Sequence, residues 1–131
     1  MLDLTLTDSS VWVDFFRGEP AALKRLDPLL AERVARVSGP IVAELLSGAT
    51  NAARQNEIRM LFSDIAWLKP SEPIWLRVGE TRFVLARQGQ RSNILDVLIA
   101  LTAFDCGAKL LTRDRDFERI AKVVPLDLEV F

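Results

Sequence analysis

The chain has 131 residues, half of them apolar, enough for one packed domain and too short for two. Its 17 Lys plus Arg and 18 Asp plus Glu leave a net charge of −1, which excludes a polybasic arm, an acidic tail and duplex binding by bulk counterion release. With no histidine and one cysteine, His general bases, Ser-His-Asp and Cys-His catalysis, His-containing zinc sites and an intramolecular disulfide all drop out. Any metal site must therefore use oxygen ligands, which suit Mg²⁺, Mn²⁺ or Ca²⁺. No Gly-rich phosphate cradle is present. The first residues, Met1-Leu-Asp-Leu-Thr5, carry no basic leader, and no apolar run approaches the ~18 residues of a membrane span. A cytoplasmic protein with no membrane segment is expected.

Leu4–Thr7 reads as a short strand, followed by Asp8 and a helix from Val11 with Ser9 or Ser10 as N-cap, ended by Gly18. Pro20 opens a second helix with apolar positions Leu23, Leu26, Leu29 and Leu30. Val34–Val37 reads as a strand, Ser38-Gly-Pro40 as a turn, and Ile41–Ser47 and Ala52–Ser63 as helices. Ile65–Leu68 is a short strand stopped by Lys69-Pro70. Glu72–Gln88 is a helix with Ile74, Trp75, Val78, Phe83 and Leu85 as its apolar positions, ended by Gly89. Gln90–Asn93 is a polar loop. Ile94–Asp105 is almost wholly apolar and predicts a buried helix. Lys109–Thr112 is a strand, Arg113–Asp116 a turn, Phe117–Ala121 a short helix, and Val123–Val130 holds one or two last strand pieces. The alternation predicts an α/β fold, a central parallel sheet of four to five strands with helices on both faces.

Four carboxylates stand beside apolar runs. Asp8 follows the first strand, Glu44 lies in Ile41-Val-Ala-Glu-Leu-Leu46, Asp96 lies in the most apolar helix, and Asp114 follows the strand ending at Thr112. A buried carboxylate needs a partner. Loops after parallel strands share one edge of the sheet, where ligand sites gather. Ionised carboxylates ~4–5 Å apart at an effective dielectric near 20 repel by about 3–4 kcal/mol per pair. A divalent cation relieves that repulsion, and hydrolysis of a phosphodiester by a metal-bound water is the chemistry it suggests.

Taken singly, each acid is also explained as a cap, a turn residue or an Arg partner; all four together favour a site. Asp116 can reach a second metal or bond its own turn. Asp14 reads as solvent-facing. Ser9, Ser10 and Thr112 can hold the carboxylates in place. Arg17, Arg87, Arg91, Arg113 and Arg115 are candidates for phosphate contacts. Trp12, Trp67 and Trp75 read as core rather than as stacking platforms.

At these residues the sequence resembles the PIN-domain proteins, and among them the VapC-type toxins of type II toxin–antitoxin pairs. Thr7-Asp-Ser-Ser-Val-Trp-Val-Asp-Phe-Phe-Arg-Gly18 is similar to the family's opening. Ser38–Gly48 with Glu44, Asp96–Ala103, and Leu110-Leu-Thr-Arg-Asp-Arg-Asp-Phe117 are similar to its second, third and fourth motifs. Each motif is weak alone; all four in order are specific. Leu101 departs from the small residues common in the third motif. The resemblance implies a PIN-like domain over 1–131. It implies Asp8, Glu44, Asp96 and Asp114 as a catalytic, metal-holding quartet around Mg²⁺ or Mn²⁺, and leaves open whether Asp114 or Asp116 is the fourth acid. It also implies an endoribonuclease acting on tRNA or rRNA, a homodimer, and a VapB-type antitoxin that covers the site. The alternatives are a non-catalytic PIN-like binding module with a structural metal site and a receiver-like phospho-acceptor. The latter expects paired acids at the first strand and a late Lys, for which only Lys122 in a helical tail is available after Lys109.

Overall fold

The first strand, β1 (Thr5–Thr7), is buried at all three positions, so both faces of the sheet at this point are covered. The structure is a computed structural model and describes residues 2–131. In chain order β1 is followed by α1 (Ser9–Phe16), α2 (Pro20–Ala31), β2 (Ala35–Arg36), α3 (Gly39–Ser47) and α4 (Ala52–Ser63). Then come α5 (Ile74–Arg87), α6 (Ile94–Asp105), β3 (Lys109–Thr112), α7 (Phe117–Ala121) and β4 (Leu128–Val130). The four strands are all parallel in the order β2-β1-β3-β4. Leu6 is level with Arg36 on one side and Leu110 on the other. The expected α/β sheet is therefore present at the lower end of its strand range. Ile65–Leu68 does not form a fifth strand; it makes one parallel bridge, Val37 to Trp67, in which Leu68 N donates to Val37 O at 2.8 Å. Pro70 cannot donate to a ladder and pulls the preceding residues away from it.

The chain leaves β1 towards β2 on one side, while β3 joins it from the other. The order thus switches between β1 and β3, and a crevice opens there at the carboxyl ends of the strands. Trp12 fixes α1 against this edge. Its ring is fully buried, packs edge-on to Phe15 and Phe62 at centroid distances of 5.6 and 5.0 Å, and its Nε1 donates to Thr7 O at 3.1 Å. On α6, every residue from Val97 to Ala103 is buried, which is why that segment is apolar almost throughout. Asp96 is the exception one turn from the helix start.

Two expectations about burial need correction. Trp67 and Trp75 are 45% and 54% exposed, so of the three tryptophans Trp12 alone is core. On α5 the inward residues are Ile74, Val78 and Leu85, whereas Phe83 is 60% exposed. Among the described residues no helix is long and apolar enough to cross a membrane.

Candidate active site

Asp8 takes the N-cap position of α1 by its backbone, and its C=O accepts from Val11 N and Trp12 N. Ser9 and Ser10, expected as caps, lie inside the helix. The reason is that their hydroxyls serve the acids instead. Ser10 Oγ donates to Asp8 Oδ2 at 2.8 Å, and Ser9 Oγ donates to Glu44 Oε2 at 3.3 Å. Thr112 Oγ1, from the end of β3, donates to the same Asp8 Oδ2 at 2.9 Å. Asp8 is 6% exposed, and two hydroxyl donors on one oxygen offset part of the cost of burying its charge.

Thr112 also receives. Its Oγ1 accepts from Asp114 N at 2.9 Å, and Asp114 Oδ1 in turn accepts from Asp116 N at 2.9 Å. Ser10 Oγ accepts from Arg113 N at 3.0 Å, so α1 and the turn after β3 are stitched together. Asp114 is half-buried at the crevice. Asp116 is exposed, and Arg119 Nη2 donates to its Oδ1 at 2.7 Å. Glu44 stands at the exposed rim, on the face of α3 away from buried Ile41, Val42 and Leu45.

Asp96 shows that these acids form one group. Its pKa is pushed up to about 6, first by burial and then by the charges of Asp8, Asp114, Glu44 and Asp116 in that order. Glu44 is also raised, by burial and then by Asp8, against a smaller lowering from the Ser9 hydrogen bond. Asp96 does not cap its own helix, because Asn93 Oδ1 already accepts from Leu95 N at 2.8 Å. The structure thus brings together all five acids singled out from the sequence. Among the described residues, no three His, Cys, Asp or Glu side chains close into a cage for an ion on their own.

The arginines divide. Arg113 reaches Asp14 at 3.5 Å and Glu19 at 3.6 Å, and its guanidinium lies 4.5 Å from the centre of the Phe131 ring. It is a structural link between α1, the start of α2 and the last residue, and Asp14 is its partner rather than a solvent-facing acid. Arg115 pairs with Glu118 and Arg87 lies over Phe83. Arg17 and Arg91 are exposed, and among the described residues neither side chain has a hydrogen-bond or ion-pair partner. Arg119 was missed from the sequence; its position three residues after Asp116 is the signal that pointed to it.

A parallel sheet with this strand order and an acidic crevice at its switch point defines a class, and comparison with known proteins agrees. The PIN-domain model matches residues 5–123. Ribonuclease VapC11 of Mycobacterium tuberculosis is 33% identical over 134 residues, covering 98% of this chain and 99% of the relative. Ribonuclease VapC19 of the same species is 36% identical over 115 residues, covering 83% and 87%. Among solved structures, a chain of VapBC-1 from nontypeable Haemophilus influenzae superimposes with a TM-score of 0.72 at 25% identity over 96% of each chain. A chain of VapBC2 from Rickettsia felis, solved bound to a DNA fragment from its promoter, gives 0.78 at 24% identity, covering 96% of this chain and 97% of that one. The chain belongs to the PIN-domain family, and within it to the VapC group.

Proposed function

We propose that this protein is a cytoplasmic, Mg²⁺-dependent endoribonuclease, the toxin of a VapBC-type pair, which hydrolyses phosphodiesters of tRNA or rRNA. The observation that carries this reading is Asp96 at the switch point of the sheet, whose carboxyl is raised by burial and then by the charges of four neighbouring carboxylates. Such a concentration of negative charge, in a chain without histidine, calls for a cation. The donor set is all oxygen, which fits Mg²⁺, or Mn²⁺ in its place. The open arrangement of the acids suits an ion that keeps several of its waters. When bound, the ion supplies polarisation of a phosphate oxygen and acidifies water in its shell.

The protein's own residues do the rest. Asp8 is held in place by the hydroxyls of Ser10 and Thr112, and is the fixed point of the site. Glu44 faces it from the rim, oriented by Ser9. Asp96, half-buried among the like charges, accepts a hydrogen bond from the attacking water, aiming it at phosphorus. Asp114 serves as the fourth acid in this reading; what supports it over Asp116 is that Asp116 is exposed and already paired with Arg119. Support for the activity comes from the full-length similarity to proteins named as VapC ribonucleases. Support for a VapB-type antitoxin comes from the VapBC assemblies that hold the structural neighbours. A homodimer is part of the same proposal.

The test is incubation of the purified protein, free of antitoxin, with total RNA in Mg²⁺, Mn²⁺ or EDTA, beside Asp96→Asn. Discrete fragments that disappear with EDTA and in the variant are expected. A folded wild-type protein that cuts no RNA in either metal overturns the reading in favour of a binding module.

A further inference from the structure

The acidic crevice is not symmetrical. On the Asp96 side it continues into a cavity of about 200 Å³ lined by Arg91, Ser92, Asn93, Asp96, Asp116 and Arg119, with Ile120 at its back. Arg91 and Ser92 also line a larger hollow of about 680 Å³ that runs along α5 past Arg82 and Phe83. The two cavities share Arg91 and Ser92 in their walls, and together they are called the trough. On the Glu44 side the cavity is walled by Val13, Phe16, Leu45, Ala49 and Ile58 together with Arg17 and Arg54, of which Arg54 is tied to Phe16 O and Glu57.

The trough is built rather than incidental. Gly89, at φ +74°, ends α5 in the left-handed conformation, and Gln90 N returns to Leu85 O at 2.9 Å. Arg82 Nη2 donates to Ser92 O at 3.2 Å, so the loop is tied to α5 at both ends of Arg91. Asn93 then caps α6 and sets Asp96 three residues further on. Arg91 itself, exposed and with no partner among the described residues, is left facing the junction. A polyanion approaching five carboxylates needs positive charge beside them. Arg91 supplies it within the same cavity as Asp96, where Arg119 is already paired with Asp116.

We propose that this trough, with Arg91 at its centre, binds the backbone of single-stranded RNA on one side of the bond to be cut. The proposal rests on the ribonuclease reading and adds the strand's path: along the α5–α6 loop past Arg91 and Asp96, and not across the Glu44 flank, where Arg17 and Arg54 stand among apolar residues. Arg91 contacts a phosphate next to the reacting one and acts by holding the strand.

Binding is measured with the full chain carrying Asp96→Asn, so that bound RNA stays intact. The probe is a short fluorescein-labelled single-stranded RNA of mixed sequence, in metal-free buffer over a range of KCl concentrations. Adding Arg91→Gln is expected to weaken binding about 5–10-fold near 0.1 M salt and to lower the salt slope by about 0.7, as for one lost phosphate contact. Arg17→Gln on the opposite flank is expected to change neither. In the otherwise wild-type enzyme, Arg91→Gln raises KM for RNA and leaves kcat in place. Unchanged binding and KM in Arg91→Gln, or a larger loss in Arg17→Gln, overturns the trough while cleavage by the wild type still upholds the ribonuclease. If the wild type neither cuts nor binds RNA, the functional reading fails and the trough falls with it.

Discussion

Thr112 Oγ1 donates to Asp8 Oδ2 at 2.9 Å across 104 residues of sequence, while accepting from Asp114 N at the same distance. One hydroxyl, itself fully buried, therefore fixes an acid on β1 and the backbone of the acid-bearing turn after β3. Thr112→Val removes both bonds at nearly constant shape. It leaves Asp8 short of a donor and Asp114 N short of an acceptor, at a cost of about 1–3 kcal/mol. Urea unfolding is expected to show that loss, and RNA cleavage to fall with it. Thr112→Ser keeps the hydroxyl and is expected to recover most of both.

Asp96→Asn is expected to lower RNA cleavage by at least about 100-fold, as for loss of a group that acts on the nucleophile. The same variant is expected to melt higher than the wild type in EDTA, because it removes a charge that four carboxylates oppose. Cleavage assays and thermal melts on one preparation separate lost chemistry from lost fold.

The pH dependence has a definite sign. Asp96 sits at about 6 in the folded chain against an ordinary 3.8, so folding favours its protonated form. The metal-free protein is therefore expected to lose stability as pH rises from about 4 to above 6, by roughly 1–2 kcal/mol once solvent on its open side is allowed for. Raised Glu44 adds in the same direction. Mg²⁺ competes with that proton, so stabilisation by Mg²⁺ is expected to be large at pH 7.5 and nearly absent at pH 5. Melting curves with and without Mg²⁺ at the two pH values check this, and the Asp96→Asn variant should flatten the metal-free profile.

Asp114→Asn and Asp116→Asn distinguish the fourth acid. Asp114 is held in the crevice by the Thr112 turn, whereas Asp116 is exposed and paired with Arg119. Asparagine at 114 is expected to abolish most cleavage, and at 116 to leave the larger part of it. Comparison of kcat for the two variants decides.

How much of this could be read in the residues alone depended on whether a local pattern was enough. The α6 helix was legible because the apolar run Val97–Ala103 has one outcome, and Asp96 stood out as the charge that opens it, although Ile94, Leu95 and Phe104 at the helix ends are exposed. Asp8 and Asp114 were legible because both follow apolar strands, and parallel strands bring such positions to one edge. The α5 face was not. At 100° per residue Phe83 stands half a turn from Ile74, so both apolar residues cannot point inward, and the count of apolar positions does not say which does. The cap of α1 was misread for a related reason. Ser9 and Ser10 have the chemistry of caps, but Ser9 Oγ turns to Glu44 Oε2, 35 residues on, and Ser10 Oγ to the side chain of Asp8, two residues back. Arg113 is, from the sequence, one of five candidates for a phosphate contact or a solvated surface charge, and its partners Asp14, Glu19 and Phe131 come from distant parts of the chain.

The position of β1 between β2 and β3 has a consequence for the order of folding. Closing the β1–β3 pair means bringing Thr5 level with Lys109, a search over most of the chain whose entropic cost is met before any reward. A partly folded chain with α1 to α4 in place holds Asp8 and Glu44 but lacks Asp96 and Asp114. The acidic centre is complete only when β1 and β3 are paired, so assembling the site and closing the sheet are one event.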